Sequence, residues 1–112
     1  MVHVEIIESL FDEIEKKFKK GASEIYDLIR TLEKNPNKGK IVGRVGGIVI
    51  KELKYEGFRF YFIVDDYKLK VFSKEELVNL LIKFVRMSDK KSQQKTINEI
   101  KIVLQKIGSE GF

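Results

Sequence analysis

The chain has 112 residues, 43% apolar and 35% charged, with eight Phe and four Tyr; this supports one core across a single domain, residues 1–112, and excludes a disordered chain. The absence of Cys excludes a disulfide scaffold, a thiolate nucleophile and a cysteine zinc site, and His3 as sole histidine argues against a histidine metal site or a Ser-His-Asp triad. No apolar run is long enough to cross a bilayer and no secretory pattern opens the sequence, so the cytoplasm is the expected compartment and no membrane partner is expected.

Val2 to Ile7 reads as a short strand with Val2, Val4 and Ile6 on one face. Ser9 is the expected N-cap of a first helix, with Asp12 and Glu13 in its first turn. Leu10, Phe11, Ile14 and Phe18 form its apolar stripe, and Gly21 is its expected stop. A second helix starts near Ser23, carries Ala22, Ile25, Leu28, Ile29 and Leu32, and ends by Lys34, before the turn-forming run Asn35-Pro36-Asn37-Lys38-Gly39. With almost no linker, the two helices are expected to form an antiparallel hairpin, each stable only when its stripe is buried.

After Gly39 the apolar period becomes two. Gly43, Gly46 and Gly47 read as a sharp entry into a sheet. Ile48 to Lys54 places Val49, Lys51 and Leu53 on one face. Tyr55-Glu56-Gly57 turns the chain, and Phe58 to Val64 sets Phe58, Phe60, Phe62 and Val64 against Arg59, Tyr61 and Ile63. These two segments predict an antiparallel hairpin. Asp65-Asp66 reads as a turn, and Lys68 to Phe72 as a short strand with Leu69 and Val71 on one face. For Ser73 to Met87 local signals lean towards a helix: Ser73-Lys74-Glu75-Glu76 has the form of a capping box, and Asn79, Lys83 and Arg86 make a polar stripe. Val78, Leu80, Ile82 and Phe84 alternate as a strand equally well. The last helix runs from about Ser92 to Ile107 on Ile97, Ile100, Leu104 and Ile107, with Thr96-Ile97-Asn98-Glu99 as an internal capping box; Gly108 stops it and Ser109 to Phe112 is a frayed tail.

The net charge of +5 is unevenly placed: residues 1–36 hold six Lys/Arg against eight Asp/Glu, and residues 37–112 hold sixteen against nine. The basic excess suits a polyanion such as nucleic acid, and equally suits a Lys- and Glu-rich surface that serves solubility. Its members group as Lys51 and Lys54 on one strand, Arg59 beside Tyr61 on the next, and Arg86, Lys90 and Lys91 before the last helix. Fixed charge holds an RNA backbone and an aromatic ring stacks on an unpaired base, the two properties that Arg59 and Tyr61 combine on one strand face. Gly43-Arg44-Val45-Gly46 matches no phosphate loop or dinucleotide fingerprint, and Asp65-Asp66 and Glu75-Glu76 read as turn and helix-start residues rather than paired acids.

From Ile25 to about Ile102 the order of these pieces resembles the RelE/ParE toxin superfamily, most of all its HigB-type and phage-derived branch. The pieces are Leu28-x-x-x-Leu32, Asn35-Pro36, Gly39-Lys40, Ile50-Lys51-Glu52-Leu53-Lys54 and Gly57-Phe58-Arg59-Phe60-Tyr61-Phe62. Leu80-Leu81-Ile82-Lys83-Phe84-Val85-Arg86, Lys90-Lys91 and Gln93-Gln94-Lys95-Thr96 complete them. The resemblance implies an α+β fold: an N-terminal helix hairpin on a small antiparallel sheet with a C-terminal helix, residues 78–86 being a strand. It implies a toxin silenced by a cognate antitoxin protein, cutting messenger RNA on the ribosome by attack of the 2′-hydroxyl on the neighbouring phosphate, with no metal or cofactor. Arg59, Arg86 and Lys54 match the family's basic positions, and Tyr61 is the expected stacking or proton-relay group. Lys51, Lys83, Lys90, Lys91 and Arg44 are expected along the RNA. Ser92, Gln93 and Lys95 stand where enzymatic members carry a C-terminal Tyr or His. A non-enzymatic relative, such as a gyrase-binding toxin, or a plain RNA-binding domain therefore stays open.

Overall fold

Strands β1 (Val2–Ile6), β2 (Lys40–Val45), β3 (Ile48–Tyr55), β4 (Phe58–Asp65) and β5 (Leu80–Asp89) form one mixed sheet in the order β1-β5-β4-β3-β2. Helices α1 (Glu8–Phe18) and α2 (Ala22–Arg30) pack on one face and α4 (Gln93–Lys106) on the other; the short α3 (Asp66–Phe72) follows β4. The class is α+β. The structure, a computed structural model, describes residues 1–72, 74, 75 and 78–112. None of the helices among these residues is long and apolar enough to cross a membrane.

Burial on both faces explains why Phe58 to Val64 of β4 reads as an apolar run broken only by Arg59. Phe60, Phe62 and Val64 join Val49, Leu53, Ile82 and Phe84 beneath Leu10, Ile14, Ile25, Ile29 and Leu32 of the helix pair. Tyr61 and Ile63 turn the other way, with Ile50 and Val85, against Ile97, Ile100 and Leu104 of α4. The β3–β4 turn is Glu56-Gly57, both at positive φ (45° and 83°), the two-residue geometry whose twist matches that of paired strands. It pairs Glu52 with Tyr61 and Lys54 with Arg59.

Several expectations are revised. The sheet is mixed, not antiparallel throughout: β1 precedes the helix pair and runs parallel to β5, with Val2, Val4 and Ile6 opposite Leu80, Ile82 and Phe84. Its apolar side thus shares the face covered by α1 and α2. Ser9 lies inside the first turn of α1, whose N-cap is Ile7, and α1 ends at Phe18 with Lys19 (φ 49°) as its C-cap, not at Gly21; a single 3-10 turn, Lys19–Gly21, leads into α2. Residues 40–45, expected only as an entry to the sheet, are the edge strand β2. Lys68 to Phe72 belongs to α3, not to a strand. The Asp65 carboxylate accepts the Lys68 backbone N–H at 2.9 Å, and Asp66 pairs with Lys70 one turn on, two local terms that favour a helix over alternation. The capping box expected at Ser73 and Glu76 lies outside the described residues. Leu80–Asp89 is a strand, against the local helical lean, because β4 and β1 offer it a hydrogen-bonding neighbour on either side. Helix α4 starts where expected, with Ser92 as its N-cap, while Thr96, expected to open an internal capping box, is buried inside the helix. The tail is packed: Ser109–Gly111 makes a 3-10 turn, and Phe112 rests on the apolar cluster under α4.

Gly39 shows how closely the chain approaches the sheet here. Its φ is +105°, and an added Cβ would lie 2.8 Å from Phe62 Cζ and 3.2 Å from the Glu52 carbonyl oxygen. The ring can shift, but the backbone oxygen of a paired strand cannot. Gly39→Ala is therefore expected to cost about 1–3 kcal/mol through backbone strain, before any steric cost, measured as a lowered denaturation midpoint.

Candidate functional site

Alternation along β3 and β4 puts Glu52, Lys54, Arg59 and Tyr61 on the α4 side of the sheet, at the end nearest the Glu56-Gly57 turn. Strand β5 adds Ser88, opposite Arg59, and Arg86, opposite Tyr61. Lys90 and Lys91 follow β5 directly and are exposed in the turn before α4. The first residue of α4, Gln93, closes the site by donating to Glu52 Oε2 at 3.2 Å.

The site is a buried polar group of unusual composition. Glu52 is 2% exposed and Arg59 8%. Arg59 Nη1 donates to the Gly57 carbonyl at 3.0 Å, while its Nε and Glu52 Oε1 are buried without a hydrogen-bond partner. Such groups carry a desolvation cost that local packing does not return. The Tyr61 ring is fully buried and its hydroxyl lies 2.8 Å from Ser88 Oγ. Ser88 Oγ donates to the Asp89 carbonyl at 2.9 Å, so its one hydrogen is spent there and the Tyr61 O–H is the donor of the pair. Burial pushes the Tyr61 hydroxyl above the ordinary tyrosine range, with the Ser88 contact pulling weakly the other way. Tyr61 is therefore a protonated donor at neutral pH.

Arg86 is opposite Tyr61 in register, but its side chain lines a separate hollow with residues 5–9 at the end of β1 and the start of α1, Gly111 and Phe112. Its Nη1 donates to the Val85 carbonyl at 2.7 Å, and its guanidinium lies 5.0 Å from the centroid of Phe112, so the packed tail holds it. A bulge between Tyr61 and Phe62 places both Val85 and Arg86 opposite a single β4 residue. Lys54 is exposed beside buried Arg59.

The remaining expected residues lie elsewhere. Lys83 sits opposite Ile63, further along β5, with Nζ 3.4 Å from the Phe112 oxygen. Lys51 and Arg44 are on the opposite face of the sheet from Arg59, in register with Phe62 and Val49. Arg44 Nη1 pairs with Asp66 at 2.7 Å. Lys51 is 3% exposed, with Nζ donating to the Asn37 carbonyl at 2.9 Å. Burial pushes its ammonium below the ordinary lysine value of 10.5. A lowered lysine pKa costs stability while the ammonium is charged, and that cost is relieved as pH climbs from the folded value towards 10.5. Thermal unfolding should accordingly show the native chain gaining stability relative to Lys51→Met between neutral pH and 10.5.

Glu52, Ser88 and Gln93 were not among the expected site residues. A signal for Glu52 was present: with a two-residue turn at 56–57, the residue two before Lys54 must share a face with Arg59 and Tyr61. No local pattern marks Ser88 or Gln93. Among the described residues, no group of three or more His, Cys, Asp or Glu gathers at metal-binding distance. Comparison with protein-family models, with curated proteins and with solved structures finds no match for this chain.

Proposed function

We propose that the chain is the toxin of a toxin–antitoxin pair, with a RelE-like arrangement, and that it cuts messenger RNA on the ribosome without a metal. The observation that carries this reading is the convergence of a carboxylate, two cations and a phenol, Glu52, Lys54, Arg59 and Tyr61, at one end of one sheet face. A helix pair on one face and a C-terminal helix on the other support the same reading of the fold.

These groups supply what RNA cleavage needs. The Glu52 carboxylate takes the proton of a ribose 2′-hydroxyl, whose oxygen then bonds to the adjacent phosphorus. The bond from phosphorus to the 5′-oxygen breaks, and that oxygen takes a proton from the Tyr61 hydroxyl, leaving a 2′,3′-cyclic phosphate and a 5′-hydroxyl. Arg59 and Lys54 neutralise the extra charge of the pentacoordinate phosphorus, and Arg86 joins them when freed from Phe112. Buried Tyr61 serves as the proton donor rather than as a stacking platform. RNA reaches Glu52 and Arg59 once the first turn of α4 lifts and the Gln93–Glu52 hydrogen bond breaks.

Expression without the antitoxin is the test: growth arrest with cut messenger RNA is the expected result. Glu52→Gln keeps the size and the bond to Gln93 but accepts no proton, and should slow cleavage by about 10²–10⁴-fold. Undiminished cleavage in that variant removes Glu52 as the base. Burial of Glu52, Arg59 and Tyr61 beneath α4 favours a second reading, a non-enzymatic protein of the same fold. Purified chain that leaves messenger RNA intact on translating ribosomes, with arrest relieved by gyrase overexpression, selects a gyrase-binding toxin. Salt-dependent RNA binding without toxicity selects an RNA-binding domain.

A further inference from the structure

We propose that the concavity between the Asn37 loop, β2, β3 and α3 is a binding site for a phosphate group, on the sheet face opposite Arg59 and Tyr61. It encloses about 590 Å³ and is lined by Arg44, Lys51, Lys70 and Lys74, with Asp66 as the one acidic residue among the described residues lining it. Asp66 is already paired with Arg44 at 2.7 Å and Lys70 at 3.2 Å, so the pocket keeps a positive balance. The cations arrive from β2, β3, α3 and the segment after it, a convergence that no single charged surface helix produces.

Lys51 is the decisive residue. Its side chain is almost wholly buried, yet among the described residues no carboxylate lies within ion-pair distance of its ammonium. The ammonium touches the Asn37 carbonyl at 2.9 Å and the Phe62 ring at 5.9 Å from its centroid. One hydrogen bond and one ring face leave a buried cation under-compensated. Tying down the Asn37 loop accounts for one N–H of three. A phosphate in the concavity supplies the missing countercharge and accepts from Lys51, while the Arg44 fork, freed in part from Asp66, binds two of its oxygens. The lowered pKa of Lys51 agrees with an ammonium that lacks a countercharge. This site is independent of the cleavage chemistry, whose residues lie across the sheet.

Inorganic phosphate titrated into the full chain tests it, read from the amide resonances of Asn37, Gly39 and Arg44. Saturable shifts are expected, weakened about tenfold or more in Lys51→Met and in Arg44→Gln, the loss of one charge-assisted hydrogen bond. Arg59→Ala should titrate as the native chain does. Thermal unfolding provides a second readout: at the same concentration, phosphate should raise the midpoint of the native chain more than that of Lys51→Met. A single-stranded RNA oligonucleotide without terminal phosphates separates the sources. If its binding also weakens in Lys51→Met, the pocket takes backbone phosphodiesters; if only inorganic phosphate and a mononucleotide respond, it takes a free phosphate group. Unmoved resonances in the native chain, equal titration of Lys51→Met, or loss of the response in Arg59→Ala overturns the proposal. A Lys51→Met chain that unfolds earlier yet binds phosphate unchanged makes Lys51 a loop clamp only.

Discussion

Arg59→Ala is expected to abolish growth arrest and to lower RNA cleavage by about 10²–10³-fold, the loss typical of one preorganised donor at a site of developing charge. The same substitution should leave the unfolding midpoint unchanged or raised. Arg59 is 8% exposed, its Nε is unpartnered, and among the described residues no carboxylate stands within ion-pair distance. Removing an under-compensated buried cation relieves a desolvation cost that the single Nη1 bond to Gly57 only partly offsets. A purely structural arginine predicts the reverse pair of results: activity lost only in proportion to stability. Cleavage assays and thermal unfolding on the same preparation therefore separate the two roles. Cleavage that survives the substitution removes Arg59 from the reaction.

Phe62→Ala should be the most destabilising of the substitutions considered, by about 3–5 kcal/mol, as for other buried aromatic truncations. Phe62 has no exposed surface, its ring lies 4.8 Å from that of Phe84, and it sits between the helix pair and the centre of the sheet. It also supports two features at once: its ring packs against Gly39, where the Glu52 carbonyl closes the other side, and Lys51 rests over its face. Against a total stability of roughly 5–15 kcal/mol, such a loss leaves the chain marginal or unfolded at 37 °C. Urea denaturation gives the value directly. A change below about 1 kcal/mol would mean that the cavity collapses and that the packing around β4 is far looser than its zero exposure implies.

Elements whose period spans many residues were legible without coordinates. The two N-terminal helices, the β3–β4 hairpin with its Glu56-Gly57 turn and the C-terminal helix all appear close to their expected bounds, because each repeats one apolar spacing several times. Short segments were not. Lys68 to Phe72 alternates over five residues and is nonetheless α3, since the Asp65 cap and the Asp66–Lys70 pair outweigh so brief a pattern. Residues 80–89 support either period, and only pairing to β4 and β1 selects the strand.

The candidate site divides in the same way. The alternation of β3 and β4 and the length of their turn, both readable in the residues, are enough to bring Lys54 to Arg59 and to keep Tyr61 on the same face. The tertiary structure alone decided that Ser88 and Gln93 complete that group, that α4 closes over it, and that Arg86 is held by Phe112. It alone also carried Lys51 and Arg44 to a separate pocket with α3. The physical reason is range. Side-chain direction within a strand follows from local backbone geometry, whereas which helix covers a face depends on burying apolar surface contributed by residues far apart in the chain.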